Sequence, residues 1–303
     1  MAGDQNPRRS VYAALAANLA IFLAKSAAAV ISGSSAMLAE AIHSLADTGN
    51  QALLLLGLRR AEKPPDELHP FGHGKERFFW TFVVAMSLFS LGAAFSIFHG
   101  IEGLVKGHEV PNPTIALIVL VLSALFEGSA FRTAWGQFQA KRGDRSVPAA
   151  LEEAKDPEVL TVIGEDSAEL TGIAIAIAGL LLANFTGEAA FDSAASIGIG
   201  IVLAVVAFLL AREMLNLLLG ESASEPVRRE IVAITQRSDD VDHVVDLRTM
   251  HIGPADLLIA MDVLFNDGLD TDGIEAAIDR IEDEIRSAIP EARAIFVEPE
   301  TPG

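Results

Sequence analysis

Six apolar stretches fill the first 220 positions of this 303-residue chain, near Val11–Ile31, Ser35–Leu58, Phe78–Leu104, Ile115–Gln137, Val159–Ala183 and Asp192–Leu217. A hydrocarbon core of about 30 Å is crossed by a helix of roughly 20 residues. In lipid the backbone must satisfy its own N–H and C=O groups, so runs of this length predict transmembrane helices. The third is the cleanest, with no Asp, Glu, Lys or Arg from Phe78 to Ile101. Because five more spans follow it, the first is read as a membrane helix and not as a cleaved signal peptide.

Positive charge sets the orientation. Arg8 and Arg9 precede the first span. Arg59, Arg60, Lys63, Lys75 and Arg77 lie between the second and third, and Lys141, Arg142, Arg145 and Lys155 between the fourth and fifth. The other three connections hold only Lys106. The expectation is a multi-pass membrane protein, in a bacterial inner membrane, with both termini cytoplasmic.

After Gly220 the pattern changes. A short helix is expected over Glu230–Gln236 and strands over Val241–Met250 and Leu257–Phe265. Ile274, Ala277, Ile278, Ile281, Ile285 and Ala288 recur at helical spacing through Ile274–Ile289, and Ala294–Val297 reads as a last strand. This order predicts a small α+β domain with helices layered on a three-stranded sheet. The expected boundaries are therefore 1–220 and 221–303. A domain of this size has a marginal core that dimerisation would strengthen.

Of the formal net charge of −19, −13 falls in residues 221–303. A chain this acidic offers no basic surface for a nucleic acid. It has no cysteine, which excludes disulfides, iron–sulfur clusters and thiolate zinc sites. A metal would have to be held by His and carboxylate.

Ionisable groups at membrane depth are costly and mark function by default. His43 and Asp47 are four residues apart on the second span, hence on one face. Counting about 1.5 Å per residue, they lie roughly 12 to 18 Å deep. The pair is read as half of a metal site, since imidazole and carboxylate are natural Zn²⁺ ligands. The alternative is a hydrogen-bonded pair that packs helices. The fifth span adds Glu165, Asp166 and Glu169, which cannot all stay ionised in a dry environment without a cation or proton. Asp166 ranks first as a ligand and Glu169 next, with Glu165 open between ligand and solvated interface. Two helices entering from opposite sides with mid-depth acids suit a cation site in a secondary transporter. An imidazole of unperturbed pKa about 6.5 lets protons compete with the metal.

Other polar residues in the spans get structural readings. Asn18, Asn50 and Gln51 support the site or bridge helices. Lys25 snorkels outward or pairs with an acid. Glu127 and Arg132 form a cytoplasmic-side salt bridge or an entrance rim, and His243 and His251 in the C-terminal region are placed at the surface. Gly57, Gly92, Gly172, Gly179, Gly198 and Gly200 allow close helix contacts.

The stretch Ser35-Ala-Met-Leu-Ala-Glu-Ala-Ile-His-Ser-Leu-Ala-Asp47, followed by His69-Pro-Phe-Gly-His-Gly-Lys75, resembles the cation diffusion facilitator family. The resemblance runs through Asp246-Leu-Arg-Thr249 to Ile295–Pro299, and the divergent branch with the animal mitochondrial zinc transporter is the most similar. It implies a homodimeric divalent-metal/proton antiporter with six transmembrane helices and a cytoplasmic ferredoxin-like domain. His43 and Asp47 match the family's second-span ligands. On the fifth span the position four before Asp166 is Val162, so a usual ligand is missing there and Glu165-Asp-Ser-Ala-Glu169 replaces the usual motif. Asp66, His69 and His73 match a secondary zinc site of some members, with loop packing as the alternative. The zinc positions of the family's C-terminal domain fall on Val245, Met261, Glu275 and Phe296, with Glu298 alone keeping a ligand-type side chain, so the usual regulatory cluster is not expected.

The expected function is export of a divalent cation, Zn²⁺ first and Mn²⁺ or Fe²⁺ as the alternative, in exchange for protons. The metal is cargo, and no cofactor is required. No nucleotide-binding loop is present, so a proton gradient is the expected drive. Two rivals remain. An intramembrane hydrolase would need a nucleophile, and Ser167 lacks a base at suitable spacing. A non-transporting regulatory membrane subunit is motivated by the missing fifth-span ligand.

Overall fold

The computed structural model describes residues 7–107, 112–143, 146–147 and 157–300. Arg145 and Lys155, used above for orientation, lie outside the described residues. The chain divides into two compact units, one from Met1–Gly57 with Trp80–Glu213, the other from Leu58–Phe79 with Met214–Gly303.

Six long helices lead the chain: α1 (Pro7–Ser32), α2 (Ser35–Ala61), α3 (Glu76–Lys106), α4 (Pro113–Arg142), α5 (Pro157–Thr186) and α6 (Ala190–Leu219). All exceed the roughly 20 residues a bilayer requires. By length and composition alone, Glu76–Lys106, Pro113–Ala140, Leu160–Thr186 and Ala190–Leu219 are apolar enough to cross one. The apolar run of α2 is broken by Glu40, His43 and Asp47, while the helix itself is continuous. Gly33, at φ 69°, ends α1 by donating its N–H to Ala29 O at 2.9 Å, a conformation that glycine adopts without a Cβ penalty.

The core of the first unit is built from small residues. Ala28, Ala36, Ala39, Ala93, Ala168 and Ala176 are buried beside Met37, Leu120, Ile173 and Leu203. Small side chains let helix backbones approach closely, which is how helices associate where lipid removes the hydrophobic drive. Outward-facing Phe98, Leu125 and Phe208 stay 64 to 68% exposed, as an apolar belt against lipid requires.

Helix α3 departs from the uniform helix expected. Leu88–Ala94 winds as a π-helix, a wider turn that re-aims the helix face. Beside it, α6 comes very close: a Cβ on Gly200 would lie 2.8 Å from Ala93 O and 2.6 Å from Ile97 Cγ1.

The second unit holds α7 (Glu225–Thr235), β1 (Val241–Gly253), β2 (Asp256–Phe265), α8 (Thr271–Ala288) and β3 (Ala292–Glu300). Helix α7 begins earlier than expected, because Pro226 sits in its first turn, where its missing N–H costs nothing. The sheet order is β1-β2-β3, with β1 antiparallel to β2 and β2 parallel to β3. Asp270 caps α8 by accepting from Gly273 N at 2.8 Å. Leu257, Ile259, Met261 and Val263 alternate inward from β2 and pack on Ile231, Ala277, Ile281 and Ile285. This is the predicted ferredoxin-like α+β arrangement.

His251 corrects the expectation that it lies at the surface, for it is buried. The segment before α7 runs along β1: His251 N donates to Glu221 O at 3.0 Å, and Ala223 N to Thr249 Oγ1 at 2.9 Å. Single-strand alternation does not reveal that this covering segment exists. His243 is exposed and within 2.7 Å of Asp242.

Candidate metal centre

Helix α2 presents His43 and Asp47 one turn apart, with Nε2 of the first 3.5 Å from Oδ2 of the second. Helix α5 adds Glu169, and one ligand atom from each of the three lies within 4.8 Å of the others. His43 is 1% exposed, yet among the described residues neither of its ring nitrogens has a hydrogen-bond partner, and neither does Asp47 Oδ1. Buried polar atoms are nearly always paired, so unpaired ones that converge ask for a ligand. Their set, one imidazole nitrogen and two carboxylates, is that of a zinc or other first-row divalent cation site.

Asp47 and Glu169 open onto a cavity of about 230 Å³ that Glu127, Glu165 and Asp166 also line. Asp166, ranked first from the sequence, lies on the cavity wall and not in the three-residue cluster. Glu165 accepts from Asn50 Nδ2 at 2.8 Å, a hydrogen bond that bridges α2 and α5. Asn18 and Gln51 line the same cavity. Arg132 is exposed, and Glu127 faces the cavity.

Lys25 of α1 is fully buried instead of snorkelling. Its Nζ lies 2.9 Å from Glu169 Oε1 and 3.2 Å from Glu40 Oε2. Glu40 is the residue that sequence reasoning passed over. It precedes His43 by three positions, so helical spacing alone would have placed it on the same face.

The second cluster lies in the other unit. His73 Nε2 is 3.0 Å from Asp66 Oδ2, and His69 Nδ1 is 3.2 Å from Asp66 Oδ1. The two imidazole rings are 4.3 Å apart. Backbone hydrogen bonding from His69 and a side-chain hydrogen bond from His73 hold the Asp66 carboxyl at about 2, below the usual carboxylate range. Asp66 is thus an ionised oxygen donor between two imidazoles. Among the described residues, these two clusters are the groups of three or more His or carboxylate side chains close enough to share an ion.

Comparison with known proteins follows the same lines. The family model described as the cation efflux transmembrane domain matches residues 11–219. Metal tolerance protein C4 of Arabidopsis thaliana is 32% identical over 265 residues, 87% of this chain and 58% of that protein. The mitochondrial proton-coupled zinc antiporter of Homo sapiens is 29% identical over 251 residues, 82% of this chain and 44% of that protein. The chain thus spans about half the length of these two relatives. Magnetosome protein MamM of Magnetospirillum gryphiswaldense is 26% identical over 253 residues, 82% of this chain and 75% of that protein. Among solved structures, a nickel form of MamM CTD covers 26% of this chain and 100% of its own, at 19% identity and a TM-score of 0.25.

Proposed function

Because the chain belongs to the cation diffusion facilitator family, whose cation efflux transmembrane domain matches residues 11–219, we propose that it exchanges a divalent metal cation for protons. Zn²⁺ is the first substrate, with Mn²⁺ or Fe²⁺ as the alternative. The observation that carries this reading is the convergence of His43, Asp47 and Glu169, with buried ring nitrogens and a carboxylate oxygen that have no other partner.

In this reading His43 Nε2 or Nδ1 and one oxygen each from Asp47 and Glu169 hold the ion. Asp166, Glu165 and Glu127 guide it along the cavity. Glu169 supplies the donor that Val162, 40% exposed, does not. Ligands bind metal only when deprotonated, so protons arriving on this set release the ion. An oxygen-rich set with one imidazole tolerates Mn²⁺ and Fe²⁺ better than one with two imidazoles. Asp66, His69 and His73 form a second metal site outside the membrane path. The proposal also places residues 1–220 in the membrane and 221–303 in the cytoplasm, with both termini cytoplasmic and two copies per assembly.

The test is Zn²⁺ uptake into vesicles holding the purified protein under an imposed pH gradient. Uptake should follow the gradient and fall at least about 100-fold in an Asp47→Asn plus Glu169→Gln variant, as loss of two charged ligands entails. Undiminished uptake in that variant would overturn the site. Uptake indifferent to the gradient would overturn proton exchange.

A further inference from the structure

Lys25 and Glu40 form a buried ion pair that metal binding through His43, Asp47 and Glu169 does not use. An ion pair in a core rarely repays its desolvation, so one built against a binding site calls for a reason. The ammonium does not serve Glu40 alone. It bonds Glu169 Oε1 at 2.9 Å and Glu40 Oε2 at 3.2 Å, so one cation divides itself between a proposed metal ligand and a second carboxylate.

The two ends of this bridge differ. Glu169 borders the cavity. Glu40 is fully buried, and its Oε1 has no hydrogen-bond partner among the described residues. That oxygen faces Gly172 on α5, where a Cβ would stand 2.5 Å away. The missing side chain therefore leaves room for an acceptor oxygen with nothing bonded to it. A divalent ion on Glu169 and the Lys25 ammonium on the same carboxylate would repel each other strongly in this water-poor interior. Moving the ammonium wholly onto Glu40 relieves that repulsion, and Glu40 has the open oxygen to receive it.

We infer that Lys25 is a tethered counter-cation of the transport site, holding Glu169 in place of the metal and retiring onto Glu40 when the metal takes Glu169. This rests on the reading of His43, Asp47 and Glu169 as ligands. Glu127, which lines the same cavity and shares a side-chain hydrogen bond with Glu169, and Asp47 are the further carboxylates whose charge reaches Lys25. Lys25 is thus a positioning residue that sets metal affinity without touching the metal. Its competition keeps the ion loosely enough held to be released.

The test uses the full chain in nanodiscs, titrated calorimetrically with Zn²⁺ at one fixed pH. Every variant carries Asp66→Ala and His69→Ala, which silence the second cluster. Removing Lys25 alone would strand a buried Glu40, so the informative variant is Lys25→Met with Glu40→Gln. With the competing charge gone, Kd for Zn²⁺ should tighten by at least about tenfold. In vesicles, KM and kcat should fall together, because the ion is held more tightly. Gly172→Ala changes no charge but crowds Glu40 Oε1, and it should weaken Zn²⁺ binding several-fold. A purely structural ion pair would lower the unfolding temperature and leave Kd alone. An unchanged or weakened Kd in the folded double variant, or an unchanged or tightened one in Gly172→Ala, would overturn the inference. Asp47→Asn separates the two failures. Wild-type binding there overturns the metal site itself, whereas lost binding there with wild-type binding in the double variant overturns only the part assigned to Lys25.

Discussion

Asp192 secures the start of α2 from another helix. It is fully buried, and its two oxygens accept from Ser34 Oγ and Ser35 N, each at 2.5 Å. A carboxylate at a helix N-terminus satisfies an orphan N–H and complements the helix dipole. Asp192→Ala removes the acceptor that both buried donors share, so thermal unfolding in detergent should show a loss of about 1.5 to 3 kcal/mol. Asp192→Asn, which keeps the acceptor oxygen, should lose less. Asp66 gives a prediction of the other kind. Its folded pKa of about 2 lies below the ordinary carboxylate value, so its support of the loop is complete above about pH 4 and lost as pH falls through about 2. The loop is therefore fully held at pH 7. Asp66→Ala should speed amide hydrogen exchange at Leu68 and His69, whose N–H groups now donate to Asp66 Oδ1, while helix content stays constant. Residues whose partners sit one turn away were legible in the sequence, as His43 and Asp47 were. The bonds of Lys25 span 15 and 144 positions, and no local spacing rule reaches that far.

Helices announce their existence more clearly than their contacts. The six long helices were legible because apolar patterning is a property of one segment, and four of them are apolar enough to cross a membrane. The π-helical Leu88–Ala94 was not, since it depends on how α3 lies against α6. Gly200 was singled out as a site of close approach. Its counterpart Gly100 was missed, although a Cβ there would stand 2.7 Å from both Ser193 O and Ile197 Cγ1. The α3–α6 contact is therefore glycine on backbone in both directions. Gly200→Val should force these helices apart, with a loss of about 1 to 3 kcal/mol in detergent unfolding, as overpacking usually costs. Gly128→Ala is the control, because no described residue comes within 4 Å of a Cβ at that position. Helix propensity alone would make Gly128→Ala neutral or stabilising, so an equal loss in both variants would overturn close contact at Gly200 as the cause.

Taken whole, the chain separates grease from charge, and its −13 of formal charge in residues 221–303 has a physical consequence of its own. The main apolar cluster of that region, in which Leu257, Ile259, Met261 and Val263 pack against Ile231, Ala277, Ile281 and Ile285, draws on no described residue before Ala223. A fragment of residues 221–303 should therefore fold alone as a soluble domain. Its stability should lie near about 4 to 12 kcal/mol, from typical values per residue. Like charges crowded on so small a body oppose compaction, and salt screens them. The region's ion pairs among the described residues, such as Arg280 with Asp240 and Arg286 with Glu282, are partly exposed and worth little against this repulsion. Raising NaCl from about 0.02 to 0.5 M should thus move the urea midpoint upward, because the screening length falls several-fold over that range. A midpoint that fell with salt would mean that the local ion pairs outweigh the net repulsion, and the acidic surface would then be a stabilising network instead of a burden on the fold.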